Sequence, residues 1–284
     1  MTPPAPAEPF FLEGAPGRRF CLFHPPAGRC RGAVLYVHPF AEEMNRSRRM
    51  AALQARALAA HGHGVLQIDL YGCGDSSGDF GQARWAIWKD DLARAAAWLQ
   101  ARLGHAPVLW GLRLGALLAL DYALDDARGA VPPVPAMLLW QPVLKGPAYL
   151  TQFLRLRMAH ELLDGGNAAQ SGTAAMRAAL QAGETLEIAG YDLAPALAEA
   201  LDGLAPLDAL APGCPVHWFE ALNGAGANLP AGAARASAEW QWRGVDLRLH
   251  ALACPPFWST PEITVDEGWL AATTAALQAH ADER

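Results

Sequence analysis

The chain has 284 residues, 52% of them hydrophobic, and a formal net charge of −6 at pH 7. That is enough to bury the core of one large domain with an inserted lobe, and without a dense basic run it argues against a nucleic-acid partner. The cysteines, Cys21, Cys30, Cys73, Cys214 and Cys254, show no C-x-x-C spacing, residues 1–9 lack a signal-peptide pattern, and no apolar run reaches transmembrane length; the expectation is a cytoplasmic protein with no zinc framework, disulfide lattice or transmembrane segment.

Taken in order, residues 10–24 carry alternating and paired apolar residues around Gly14-Ala15-Pro16-Gly17, which predicts a leading β-hairpin. The run Gly32-Ala33-Val34-Leu35-Tyr36-Val37 reads as a strand buried on both faces of a parallel sheet. It ends in His38-Pro39-Phe40, followed by a polar stretch over 42–49 and helical patterning over 50–61. A second buried strand over 64–70 leads into a Gly-rich loop holding Gly72, Cys73 and Gly74, and a helix over 85–103 places Trp88, Leu92, Ala95 and Leu99 on one stripe. Strands are expected again over 108–112 and 136–140. The rhythm then breaks into helices and loops over 149–204, with a Gly/Ser-rich patch at 165–172. It resumes with strands over 215–220 and 245–250 and a last helix over 264–280.

The organising stretch is Val108-Leu109-Trp110-Gly111-Leu112-Arg113-Leu114-Gly115, a strand running through a tight turn into a strong helix former. Glycines on either side of one central residue are what a strained strand-to-helix turn requires, because a Cβ there would collide with its neighbours. This is the nucleophile elbow of an α/β-hydrolase fold, a mostly parallel doubly wound sheet with a helical cap insertion. The predicted layout is core over 10–148, cap over 149–205 and core again over 206–284.

More narrowly, Trp110-Gly111-Leu112-Arg113-Leu114-Gly115, Leu139-Trp140-Gln141-Pro142-Val143, the Tyr149-Leu150-Thr151-Gln152-Phe153-Leu154-Arg155-Leu156-Arg157 segment and Pro255-Pro256-Phe257-Trp258 resemble the exosortase A system-associated hydrolases, type 2. That resemblance implies genomic company with exopolysaccharide synthesis and PEP-CTERM protein sorting rather than a defined substrate, and a fold-derived name does not fix an activity.

A hydrolase of this class needs a nucleophile on the elbow, an acid after a later strand, a histidine after the last strand and two oxyanion donors. The elbow position is Arg113, which stays protonated and cannot attack. It can present a planar fork of donors to a carboxylate or phosphate, or form an internal ion pair with Glu220. Glu220 sits at the acid position, with a solvated loop carboxylate as the plain alternative. The loop from Ala253 through Cys254 and Trp258 to Ser259 holds no histidine; His250 and His280 could serve only through an unusual register. Phe40 and Leu114 are the expected oxyanion donors, since Pro39 has no N–H. His38 reads as a structural loop residue and Trp258 as a pocket residue. Cys73 and Cys254 are the substitute nucleophiles, each weighed against a small buried hydrophobe. Glu42-Glu43 with Arg46, Arg48 and Arg49 reads as a solvated loop and helix start, or as a lid or partner surface. Gly72-x-Gly74 lacks the rest of a dinucleotide fingerprint, and no cofactor or metal is expected.

The leading expectation is a retained pocket for a small anionic or acyl ligand without serine-type turnover; the resemblance implies a protein of the exopolysaccharide or sorting machinery as a partner. The alternatives are hydrolysis of small esters, thioesters or amides by Cys73, Cys254 or a Glu220-activated water, and a purely structural role.

Overall fold

The computed structural model describes residues 5–126, 133–163, 172–224 and 226–282; the Gly/Ser-rich patch over 165–171 lies outside them. In chain order the core elements are β1 (Glu8–Glu13), β2 (Arg18–His24), β3 (Gly32–Val37), α1 (Glu42–Ala60), β4 (His63–Ile68), α2 (Trp85–Leu103), β5 (Pro107–Leu112), α3 (Leu114–Asp126) and β6 (Met137–Trp140). The insertion follows, with α4 (Gly146–Leu163), α5 (Thr173–Gln181), a two-stranded ribbon of β7 (Leu186–Ile188) and β8 (Tyr191–Leu193), and α6 (Pro195–Gly203). The core resumes with β9 (Val216–Leu222), α7 (Ala231–Trp242), β10 (Leu247–Ala253) and α8 (Glu267–Asp282).

The eight core strands form one sheet in the order β1-β2-β4-β3-β5-β6-β9-β10. The hairpin joins β4 antiparallel, and every pair from β4 to β10 is parallel. The chain steps one way from β3 to β4 and the other way from β5 onward. The strand order therefore reverses between β3 and β5, the point where open α/β sheets collect ligands. Register aligns Val37 with Gly111, Leu112 with Trp140, and Trp140 with Phe219. His38, Arg113 and Gln141, each just past its strand, and Glu220, near the end of β9, are thereby brought along one edge.

Two apolar layers cover the sheet. On one face Trp110, Trp140, Phe219 and Trp269 pack with Met50, Ala51, Ala55 and Leu58 of α1 and with α8. Two buried hydrogen bonds tie that layer, Gln54 Nε2 to Thr274 Oγ1 at 2.9 Å and Trp140 Nε1 to Thr273 Oγ1 at 3.0 Å. On the other face α2, α3, α7 and the insertion share a larger cluster. The insertion is pinned through Arg177, which reaches Asp202 of α6 and donates to Pro147 O and Thr151 Oγ1 of α4, both at 2.9 Å. Its aromatic residues meet the core at Phe40, with Phe153 at 4.9 Å and Tyr149 at 5.9 Å between ring centroids. No helix among the described residues is long and apolar enough to cross a membrane.

Two boundaries differ from the sequence expectation in ways that matter. Residues 42–49 are the first two turns of α1, not a polar loop. Met44, Ser47, Met50, Ala51 and Gln54 are buried at helical spacing, so the helix is carried by its inner face while the charges mask the period. The last helix starts at Glu267, three residues late, because the Asp266 carboxylate accepts the Trp269 N–H at 2.7 Å and caps it there.

The elbow glycines are dictated by space. A Cβ on Gly115 would lie 2.4 Å from the carbonyl oxygens of both Val37 and His38, and one on Gly111 would lie 2.4 Å from Ala116 Cα. These are backbone atoms that cannot swing aside. Gly115→Ala is therefore expected to cost at least about 2 kcal/mol, read as a lower urea midpoint; an unchanged midpoint would refute the close packing of α3 against β3.

Candidate functional site

At the elbow, Arg113 holds the left-handed backbone conformation, φ 56°, which costs a non-glycine residue on the order of 1 kcal/mol or more. Its N–H donates to Trp140 O at 2.9 Å, and its carbonyl accepts from Ala116 N at 3.1 Å and Val143 N at 3.2 Å, which hold it there. The other non-glycine residues with positive φ among those described are Ala41, Gln141 and Ala189. All four line the two cavities described below.

The Arg113 side chain does not pair with Glu220. Its Nε donates to Glu43 Oε1 at 3.1 Å, its Nη1 reaches Gln141 O at 3.5 Å, and Tyr149 donates its hydroxyl to Glu43 Oε2 at 2.9 Å. The guanidinium carbon lies 5.4 Å from the Trp258 ring centroid and 5.8 Å from that of Tyr149, within cation–π range. The expectation of a Glu220 partner is corrected for a geometric reason: α1 begins earlier than its charges suggest and delivers Glu43 to the elbow. Side-chain exposures are 17% for Arg113 and 19% for Glu43, so Glu43 is no solvated loop acid. Burial pushes its carboxyl above the ordinary range, against the opposing pull of Arg113 and the Tyr149 hydrogen bond.

Glu220 is also no solvated carboxylate. It is 3% exposed; Oε1 accepts from Gln141 Nε2 at 2.9 Å and Oε2 from Trp218 Nε1 at 2.8 Å. Gln141 is locked in turn, its Oε1 accepting the Ala221 N–H at 2.7 Å and its own N–H donating to Phe219 O at 2.8 Å. Burial raises the Glu220 carboxyl, more than its two donors and the more distant Arg113 lower it.

The remaining sequence candidates separate into those near the elbow and those turned away. Phe40 and Leu114 come together with Cys73 around a void of about 10 Å³, space for one water at most. His38 is spoken for: its Nε2 accepts the Leu70 N–H at 3.1 Å, so its Nδ1 carries the proton and donates to Pro39 O at 2.7 Å. It is 5% exposed and burial holds it below its ordinary pKa, consistent with a neutral structural link between the ends of β3 and β4. His250 lies within β10, stacked on Phe219 at 4.4 Å and 3.1 Å from His217 Nδ1 through its Nε2, and it borders neither cavity beside Arg113. His280 packs against His217 at 6.3 Å. Where a histidine would serve the elbow, the loop after β10 offers the Trp258 ring instead.

Neither thiol has the setting of a nucleophile. Cys73 is 8% exposed and burial, with the nearby carboxylates Asp69 and Asp91, drives its pKa far up. Cys254 is pushed up to about 12 by burial and Asp266, and its Sγ donates to Pro255 O at 3.2 Å. Both are neutral thiols at pH 7. Among the described residues no group of three His, Cys, Asp or Glu is arranged to hold a metal.

Two cavities lie beside the Arg113–Glu43 pair, one lined by Arg113 and the other by Glu43. One, about 460 Å³, is bordered by Arg113 and Gln141, with Lys145, Arg235 and Glu220 completing its charged lining. Three cations thus face one carboxylate. Arg235 also stands 3.9 Å from Asp208, but at 66% exposure that pairing is weak. The other cavity, about 250 Å³, has Phe40, Phe153, Leu156 and Trp258 in its walls and Glu43 at its base. Gln141, Lys145, Arg235 and Glu43 were not singled out as site residues from sequence. The one signal for Glu43 was the Met44–Ser47–Met50–Ala51 period beneath the charges.

A reversed strand order, an elbow at the switch point and an insertion over the strand ends define an α/β-hydrolase-fold protein. Solved structures of that fold superpose over nearly the whole chain. A soluble variant of monoglyceride lipase from Saccharomyces cerevisiae in complex with a substrate analogue is 15% identical, with a TM-score of 0.65 over 98% of this chain and 96% of that one. Est1E from Butyrivibrio proteoclasticus, with ferulic acid bound, is 12% identical, TM-score 0.64, over 95% and 98%. A highly thermostable carboxyl esterase from Bacillus coagulans in complex with glycerol is 10% identical, TM-score 0.62, over 98% and 99%. In sequence, the model of the family Hydrolase_4, described as serine aminopeptidase, S33, matches residues 28–165, just under half of the chain. No curated protein matches the sequence.

Two outcomes follow from the buried charges. Glu43→Met leaves the Arg113 guanidinium without its counter-charge and is expected to cost about 2–3 kcal/mol, below the 3–5 of a fully buried pair because both side chains keep some solvent. Glu43→Met with Arg113→Met should recover most of that in urea unfolding; an additive double variant would rule out a direct pair. For Glu220, a carboxyl raised above its ordinary 4.5 means that the folded state holds the proton more tightly than the unfolded chain. Ionisation then costs stability, present in full below pH 4.5 and lost as pH rises through the folded value. Measured from pH 4 to 8, wild type should lose stability relative to Glu220→Gln as pH rises across that window; a constant difference would contradict the raised carboxyl.

Proposed function

We propose that this α/β-hydrolase-fold protein binds a small anionic or acyl ligand at Arg113 and has no serine-type turnover. The observation that carries the reading is a guanidinium, fixed at the elbow, bordering a 460 Å³ cavity whose charged lining is three cations to one carboxylate. A planar fork of donors in a site partly closed to water suits a carboxylate or phosphate. The thiols support the absence of acyl transfer, since both are neutral at pH 7, and so does Trp258, whose ring takes the guanidinium side where a general base would be needed. Glu220-activated water is the remaining hydrolytic route, and its raised carboxyl would suit a base. Both of its oxygens are already committed to Gln141 and Trp218, which favours binding over turnover. The sequence resemblance to exosortase A-associated hydrolases supports a ligand or protein partner from exopolysaccharide synthesis or protein sorting.

Titration calorimetry with acetate and inorganic phosphate is the test. Arg113→Ala should weaken binding at least tenfold, as expected for loss of a charge-assisted contact of about 1.5–3 kcal/mol. Arg113→Ser should gain no burst of p-nitrophenol from p-nitrophenyl acetate. Anion affinity unchanged by Arg113→Ala would overturn the pocket, and turnover by wild type would overturn the non-catalytic reading.

A further inference from the structure

The cavity beside Arg113 has a neighbour. The cationic cavity and the aromatic cavity lie on either side of α4, and both are lined by Tyr149 and Gln152. Tyr149 is buried and bonded to Glu43, a fixed rib. Gln152 is exposed and is the movable part of the divider. The two cavities thus adjoin at Gln152, and a molecule spanning them over that side chain would leave the Arg113–Glu43 pair in place.

The two cavities differ in chemistry. The aromatic one contains charges, but they are matched within it or against its wall: Glu42 stands 3.7 Å from Arg46, and Glu43 is held by Arg113. What it leaves for a guest is the apolar surface of Phe40, Phe153, Leu156 and Trp258. Leu156 is 49% exposed and extends that surface to the mouth. In the cationic cavity, with Arg113 counted against Glu43, Lys145 and Arg235 face Glu220 and leave one positive charge in excess.

Resting on the anion-pocket reading, we infer that the ligand is a single-chain amphiphile, with an anionic head in the Arg113–Lys145–Arg235 cavity and an unbranched hydrocarbon chain over Gln152 in the aromatic cavity. An apolar cavity of about 150 Å³ holds a six-carbon ring, so 250 Å³ accommodates a chain of roughly eight to ten carbons. Each methylene buried is worth about 0.8 kcal/mol, close to fourfold in affinity.

The test is a chain-length series of n-alkyl carboxylates, acetate to decanoate, kept below their micelle concentrations and measured calorimetrically on the full chain. Affinity should rise two- to fourfold per methylene up to about eight to ten carbons and then level. Alkyl phosphates should show the same slope, because the chain cavity does not sense the head. Alkyltrimethylammonium ions of equal length should bind at least tenfold more weakly. Gln152→Trp should flatten the slope of affinity against chain length; Arg113→Gln should lower every member of the series by a similar factor. A flat series that still depends on Arg113 would overturn the amphiphile and leave the anion pocket standing. A slope equal for carboxylate and ammonium heads would overturn it as non-specific apolar adsorption. Acetate binding indifferent to Arg113→Gln would remove the anion pocket and the inference together.

Discussion

A guanidinium at the floor of a partly closed crevice must be neutralised by something, and in this chain the counter-charge is Glu43. Much of the site's layout follows from that pairing. It fixes the first turn of α1 against the elbow, and through the second carboxylate oxygen it holds Tyr149 of α4 over the same spot. It thereby joins three segments that the sheet alone does not connect: the start of α1, the elbow and the root of the insertion. The pairing also divides the crevice. Arg113 borders the polar cavity and Glu43 the apolar one, so a single ion pair forms part of the partition between two chemical environments. Being only partly buried, it keeps some solvation and avoids most of the penalty that a fully interior pair carries.

The backbone tells a parallel story. Left-handed conformations at Ala41, Arg113, Gln141 and Ala189 lie around the crevice, although none of these residues is glycine and each pays a steric cost there. Strain of this kind persists where surrounding contacts over-determine it. At Gln141 those contacts are explicit: the side chain is bonded to Glu220 and to the Ala221 N–H while its own N–H is held by Phe219.

The sheet and elbow were legible in the sequence because their causes are local. Continuous apolar runs mark strands buried on both faces, and Gly111 and Gly115 are demanded by backbone atoms that would meet any Cβ. That the elbow position is Arg113, and that the 253–259 loop holds no histidine, could likewise be read directly. The partner of Arg113 could not. Glu43 lies 70 positions away, inside a run of charges that resembles a solvated surface, and its burial depends on a helix whose inward period is carried by Met44, Ser47 and Ala51 rather than by large aliphatic residues. Glu220 was read at the end of the Val216–Phe219 run and lies within β9, and its enclosure by Gln141 and Trp218 involves side-chain geometry that no spacing encodes. The same limit hid Lys145 and Arg235, which matter only because loops from different strands meet at one edge.

The register of the parallel strands has a kinetic consequence. The pairs around the crevice join residues far apart in the chain: 70 positions for Arg113–Glu43, 79 for Gln141–Glu220, and 213 for the Arg46 contact with Ser259, both of which line the aromatic cavity. Contacts of such sequence separation form late and slowly, because loop closure must be met before they return any energy. The leading hairpin and the helix turns can form early, whereas the crevice exists only once β3, β5, β6 and β9 are side by side. A ligand of the kind proposed for it would therefore recognise the completed sheet and no shorter folding unit.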